Sequence, residues 1–151
     1  MSNNYFLPDA HRRYWLSLWL LLAASLAAAQ PTLVKDIVTS GTDPLTGANS
    51  FKPSFLTGMN GVVYFSAFDP VNGRELWRSD GTPAGTYLLR EIIPGATGSE
   101  PAHLAAVNNT LYFSANDGKS GRELWKTDGT ALGTVRVKDI AAGTTGSSPT
   151  H

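Results

Sequence analysis

Short segments in which apolar and polar side chains alternate follow one another from Pro53 onward. A period of two is typical of strands that bury one face of a sheet, and β-branched and aromatic residues are frequent in these segments. The pattern predicts eight strands, at 54–59, 62–67, 74–79, 86–92, 102–107, 110–115, 122–127 and 134–140. After residue 29 no segment has helical apolar spacing over ten residues. An all-β fold is therefore expected.

The turns between the predicted strands are short. Asn60-Gly61 suits a two-residue hairpin, because both residues tolerate a positive φ. Parallel neighbours would need crossovers of about a dozen residues or more. The short turns therefore predict antiparallel strands.

The eight strands belong to two copies of one 48-residue unit. Between Pro53–Gly98 and Pro101–Gly146, 22 of 46 aligned positions are identical. The motif positions present in both copies are Glu75, Leu76, Trp77, Asp80, Gly81, Thr82, Gly85, Thr86, Glu123, Leu124, Trp125, Asp128, Gly129, Thr130, Gly133 and Thr134. A residue needed by every copy builds the unit, whereas a catalytic centre needs a residue once. We interpret these positions as structural and predict no catalytic, cofactor-binding or metal-binding residue.

Four-stranded antiparallel units repeated every 40–50 residues are typical of β-propeller blades. We expect one blade at 53–100, a second at 101–148, and the start of a truncated further repeat at 149–151. Residues 30–52 are expected to hold an orphan strand, Leu33–Ile37, and a connection longer by seven residues. This strand matches Val137–Ile140, and it is placed to complete a last blade. The expected architecture is a partial β-propeller.

Two blades and one strand do not close a ring of at least four blades. We therefore expect an N-terminal piece of a longer protein, whose partners are the missing blades. The alternative is ring closure by self-association.

Residues 1–29 have the features of a secretory signal peptide, expected to be helical. Arg12 and Arg13 precede an apolar segment from Tyr14 to Ala29, and Ala27-Ala28-Ala29 fits a cleavage site. The alternatives are an uncleaved membrane anchor and a twin-arginine signal. The expected location is periplasmic, secreted or at the cell surface.

Composition excludes several kinds of partner and site. Residues 30–151 carry 10 basic and 11 acidic side chains without a like-charged run, so neither nucleic acid nor a further membrane surface is an expected partner. The chain has no cysteine, which excludes disulfides and thiolate chemistry.

The motifs at 75–86 and 123–134 resemble the ELWxxDGT repeat family, whose bacterial members are also called hyalin-like repeat proteins. The resemblance extends from Leu33 to His151. It implies an extracytoplasmic repeat protein, commonly much longer, that is secreted or held at the cell surface and has no established activity.

Each motif has a structural interpretation beside a functional one. Trp77 and Trp125 are expected to pack between blades, with sugar stacking as the alternative. The Asp-Gly-Thr segments suit turns in which the carboxylate accepts backbone N–H bonds. Oxygen ligands for calcium are the alternative for the acidic residues at 69, 75, 117 and 123.

The arginines before the motif and the histidine at 103 also have structural interpretations. Arg74 and Arg122 are expected to bond a loop backbone or a neighbouring blade rather than an acidic ligand. His103 aligns with Phe55 and is expected to pack.

The expected function is non-enzymatic, structural or binding, at the cell surface. A propeller enzyme acting on polysaccharide is the rival, and it would need charged residues that differ between copies and converge on one channel. A non-functional remnant is the third hypothesis.

Overall fold

A computed structural model of the chain describes residues 31–37 and 52–150. This part is all-β, with two four-stranded antiparallel sheets and no helix. It therefore contains no helix that could cross a bilayer. The expected signal peptide at 1–29, most of the longer connection at 38–51 and His151 lie outside the described residues.

The strands follow the predicted order. The first sheet has the order β1-β2-β3-β4 and consists of β1 (Ser54–Met59), β2 (Val62–Asp69), β3 (Gly73–Ser79) and β4 (Tyr87–Arg90). The second sheet has the order β5-β6-β7-β8 and consists of β5 (Ala102–Val107), β6 (Thr110–Asn116), β7 (Arg122–Thr127) and β8 (Val135–Arg136). Asn60 and Gly61 have φ of 53° and 75°, as expected for the tight hairpin between β1 and β2.

The fourth strands are shorter than predicted, because a side chain replaces the backbone ladder. The last pair between β3 and β4 is Leu76 with Arg90. Beyond it, Glu75 Oε1 accepts the N–H groups of Ile92 and Ile93, at 3.2 and 3.0 Å. The carboxylate thus satisfies amides that would otherwise extend the strand. This side-chain substitution is not visible in the apolar pattern.

The described residues Leu33–Ile37 are not assigned to a strand and pair with neither sheet. Their expected role, to complete a last blade, stays a prediction, because that blade would be a sheet other than these two. Ile37 instead packs on the apolar face formed by Phe65, Ala67 and Trp77. Residues 31–36 are exposed, and Ile37 makes the apolar contact with this face.

The main hydrophobic core lies between the two sheets. Tyr64 and Leu76 project from the first sheet, and Phe113 and Trp125 face them from the second. Residues paired across β2 and β3 share a face, so Phe65 and its partner Trp77 lie on the opposite side of the first sheet from Leu76. Each sheet therefore has two apolar faces, and only one face of each is used between them.

We name these surfaces by their residues. The receiving face carries Phe65, Ala67 and Trp77 in the first sheet, and Phe113, Ala115 and Trp125 in the second. The projecting face carries Tyr64 and Leu76 in the first sheet, and Tyr112 and Leu124 in the second. The first sheet's projecting face meets the second sheet's receiving face.

Gly81 and Gly129 provide a matched test of this stacking. Both occupy the same turn position, with φ of 89° and 96°. A Cβ added to Gly129 would lie 2.4 Å from the Tyr64 hydroxyl, whereas one added to Gly81 would meet nothing within 4 Å. Both Ala substitutions strain a positive φ, and only Gly129→Ala adds a clash. We expect Gly129→Ala to lower the free energy of unfolding by about 1–3 kcal/mol more than Gly81→Ala.

Tyr64→Phe removes the clashing oxygen, so it should recover part of this excess in the Gly129→Ala background. Denaturant unfolding of the single and double variants measures the coupling. Equal effects of the two Gly substitutions would contradict the stacked arrangement.

Candidate functional site: the turns, ties and faces of the sheets

The Asp-Gly-Thr segments form the predicted turns. Asp80 Oδ1 accepts the Thr82 N–H at 2.9 Å and the Thr82 hydroxyl at 2.7 Å. Asp128 makes the same two bonds with Thr130, at 2.9 and 2.8 Å. Hydrogen bonds from the threonine hydroxyls lower the pKa of both carboxyl groups.

The remaining turn positions are also used within the turn. Thr82 Oγ1 accepts the Gly85 N–H at 2.9 Å, and the Thr86 hydroxyl donates to Thr82 O at 2.7 Å. A Cβ at Gly85 would lie 2.0 Å from Asp80 Oδ1, so the turn closes only around glycine. Gly133 and Thr134 repeat these contacts with Thr130.

The glutamates of the repeated motif are fully buried and tie each sheet to the connection that follows it. Besides its two amide donors, Glu75 accepts the Ser99 hydroxyl at 2.5 Å. Glu123 accepts the Ser147 hydroxyl at 2.5 Å and the Ser147 N–H at 3.0 Å. Ser99 and Ser147 were missed as site residues, although both copies contain serine at this position.

The two glutamates differ in their pKa. Burial raises the pKa of Glu75 to about 7, against the lowering effect of the Ser99 hydroxyl and nearby amides. The hydrogen bond from the Ser147 hydroxyl is the largest influence on Glu123 and lowers its pKa. The second sheet covers the connection near Glu75, where the Asn116 N–H donates to Ser99 O at 2.9 Å. The pKa values of the two glutamates thus differ because another sheet covers the connection beside Glu75, and none of the described sheets covers the one beside Glu123.

The arginines of the motif bond loop backbone, as predicted. Arg122 Nη1 donates to Glu100 O at 2.8 Å, and Arg74 Nη1 lies 3.5 Å from Lys52 O. Arg74 Nε also lies 3.6 Å from Glu100 Oε2. These bonds hold the backbone two positions before the first strand of each sheet.

A cation outside the motif links one repeat to the next, and the sequence analysis missed it. Arg90 Nη1 donates to Thr134 O at 2.6 Å and to Ala131 O at 3.1 Å. Lys35 Nζ donates to Thr86 O at 2.7 Å. The acceptors Thr86 and Thr134 occupy equivalent turn positions. Donor and acceptor are 51 residues apart for Lys35 and 44 for Arg90, and the difference equals the seven extra residues of the first connection. The sequence feature that could have revealed this link is a basic residue at the equivalent positions 35, 90 and 138.

Both tryptophans are buried at 7% exposure, so neither is placed to stack on a sugar at the surface. Trp125 lies between the sheets, whereas Trp77 is covered by Ile37 and Leu88. Leu88 thus packs in the smaller core of the first sheet. Its counterpart Arg136 pairs with Asp117 at 3.1 Å.

The second sheet's projecting face has no sheet over it in the described part of the chain. Tyr64 and Leu76 are 3% and 0% exposed, whereas Tyr112 and Leu124 are half-buried. Leu89 is 4% exposed and its counterpart Val137 is 44% exposed. A cavity of about 160 Å³ lies on this face, lined in part by His103, Tyr112 and Leu124.

The acidic residues considered as calcium ligands serve the turns and ties. Asp69 Oδ1 accepts the N–H groups of Val71 and Asn72, at 2.8 and 2.9 Å. Asp117 Oδ1 accepts the N–H groups of Lys119 and Ser120, at 2.9 and 2.7 Å. Residues 31–37 and 52–150 contain no group of three or more His, Asp or Glu side chains arranged to hold a metal.

One contact that differs between copies bears on the enzyme hypothesis. His103 Nδ1 lies 3.2 Å from Ser114 Oγ, where the first copy has Phe55 and Ser66. Ser114 is 1% exposed, and its hydroxyl also contacts Arg122 Nη1 at 3.2 Å and Ala102 O at 3.3 Å. Ser114 lines the cavity on this face, and its hydroxyl is engaged in these structural contacts.

The chain was compared with protein-family models, curated proteins and solved structures, and no match was found in any of them.

The glutamate pair predicts opposite pH dependences. Raising the pKa of Glu75 means that the native state favours its protonated form. Its stabilising contribution is therefore present below pH 4.5, the ordinary pKa, and is lost as the pH rises through about 7. The unfolding free energy of wild type minus that of Glu75→Gln should fall over this range, by at most about 3 kcal/mol.

Glu123 has a lowered pKa, so its contribution is present above the ordinary pKa and is lost on acidification. The difference between wild type and Glu123→Gln should therefore shrink as the pH falls below 4.5, the ordinary pKa of glutamate. Urea unfolding from pH 3 to 8 measures both differences. Slopes of the same sign for both variants would contradict the assignment.

Proposed function

We propose that this chain is an exported, non-enzymatic repeat protein of the ELWxxDGT kind that works in structure or binding at the cell surface. Its two sheets are proposed to be β-propeller blades, and its partners are further sheets of the same type. These partners are either blades of a longer protein or other copies of this chain. The signal-like segment at 1–29 supports export.

One observation carries the proposal. On its projecting face the second sheet leaves partly exposed the counterparts of the side chains that the first sheet buries in the core. Tyr112 and Leu124 are identical to Tyr64 and Leu76, so the face is built for a contact that the chain already makes once. A further sheet with Trp, Phe and Ala on its receiving face fits this surface.

The repeated motif supports a structural role rather than catalysis. Its carboxylates, hydroxyls and glycines are used in hydrogen bonds and close contacts within each copy. Binding of other ligands is left to positions that differ between copies, at the loops and the open face.

The polysaccharide-acting enzyme would need a reactive group that solvent can reach. The Ser114–His103 contact is the strongest candidate, and its serine is buried. The structural role is therefore the better-supported proposal.

Extending the chain by one repeat tests the stacking. A variant that repeats residues 101–148 after Ser148 should cover Tyr112, Leu124 and Val137. Burial of a large apolar side chain contributes about 1.5–3 kcal/mol, so the unfolding free energy should rise by at least about 2 kcal/mol. Thermal and urea unfolding of the purified chains measure the gain.

A matched control replaces, in the added copy alone, the tryptophan equivalent to Trp125 with Asp. This change puts a charged side chain on the receiving face of the added copy and should remove the gain in unfolding free energy. No gain from the unaltered added copy would contradict the proposal, as would hydrolysis of polysaccharide that His103→Ala abolishes.

Mass spectrometry of the purified chain locates its N-terminus, and Gln30 is the expected first residue.

A further inference from the structure

Lys35 and Ile37 contact the first repeat as Arg90 and Ile92 contact the second. Ile37 packs on Phe65, Ala67 and Trp77. Ile92, at the equivalent position, packs against the core that contains Phe113, Ala115 and Trp125. The three receiving residues are identical in the two sheets.

The polar contact repeats with the apolar one. Lys35 bonds the Thr86 carbonyl at 2.7 Å, and Arg90 bonds the Thr134 carbonyl at 2.6 Å. A cation and an isoleucine, two residues apart, thus bind one turn carbonyl and one Trp-containing face. The first sheet receives this pair from a segment that belongs to no described sheet.

The second sheet ends in the same pair of residues, and both are exposed. Lys138 and Ile140 occupy the positions of Lys35 and Ile37, and Ile140 is 58% exposed. Val137 N–H donates to Leu124 O at 2.9 Å, so the pair is held beside the projecting face. Lys138 and Ile140 have the chemistry to bind the receiving face of a first sheet.

We propose that the second sheet of one copy docks head to tail on the first sheet of another, and that Lys35–Ile37 competes with Lys138–Ile140 for this place. The contact is heterologous, since it joins different surfaces of the two copies. The segment Lys35–Ile37 therefore acts as an internal plug that holds back self-association. This inference rests on the proposed stacking function.

Only chains whose plug is open can bind another copy. The apparent dissociation constant between copies is therefore the intrinsic constant divided by the fraction of open chains. Opening it should therefore strengthen association. We expect Lys35→Glu/Ile37→Asp to lower the concentration of half-association by roughly tenfold or more. Sedimentation velocity of the chain as purified, over a concentration series, measures this shift.

Charge reversal at Lys138, which is proposed to dock on the other copy, separates specific docking from aggregation. Adding Lys138→Glu should return the plug variant to the wild-type mass at each concentration. Lys119→Glu is the matched control, because Lys119 is an exposed lysine of the turn between β6 and β7 and is not one of the docking residues, and it should leave association unchanged. Where the plug variant loses its β circular dichroism, the milder Ile37→Ala replaces it, with the same direction of change expected.

Two results would overturn the inference. One is a folded plug variant that stays at the wild-type mass throughout the series. The other is association that persists when Lys138→Glu is added. If either result is obtained while the added repeat does raise the unfolding free energy, the plug is refuted and the stacking function stands. Failure of both experiments would refute the stacking itself.

Discussion

Each four-stranded sheet of this protein has apolar side chains on both faces, and neither face is stable in water alone. A sheet of this kind must be covered on two sides. The core between the sheets meets this requirement for one face of each, through Tyr64 and Leu76 against Phe113 and Trp125. Ile37 covers the outer face of the first sheet. Within residues 31–37 and 52–150 no sheet lies over the second sheet's outer face, and the proposed function follows from that difference.

Stacking has a direction, because the two faces of a sheet are chemically different. One face presents Tyr and Leu together with a neighbouring cation, and the other presents Trp, Phe and Ala beside a turn carbonyl. The buried glutamates fix the connection at which the chain leaves one sheet for the next. The same contact is therefore made between residues 35–37 and the first sheet, and between the first and second sheets.

The alternating pattern predicted all eight strands, and turn chemistry predicted the Asp80 and Asp128 turns. Both are local properties of the sequence. The short fourth strands were not predictable, since the Glu75 carboxylate reaches amides 17 and 18 residues away. Nor was the packing of Ile37 on the first sheet, because a strand-like composition does not reveal which face a side chain contacts. The cations at 35, 90 and 138 were detectable only once the seven-residue insertion had been placed.

The contact between Tyr64 and Gly129 tests the central claim most directly, because it exists only if the two sheets stack face to face. The Tyr64 hydroxyl and the ring edge beside it point at Gly129. In an NMR spectrum of the isotope-labelled chain, strong nuclear Overhauser effects are expected between the Tyr64 ring protons and the Gly129 α protons. Effects within each sheet, such as those between Phe65 and Trp77, without any between Tyr64 and Gly129 would contradict the account.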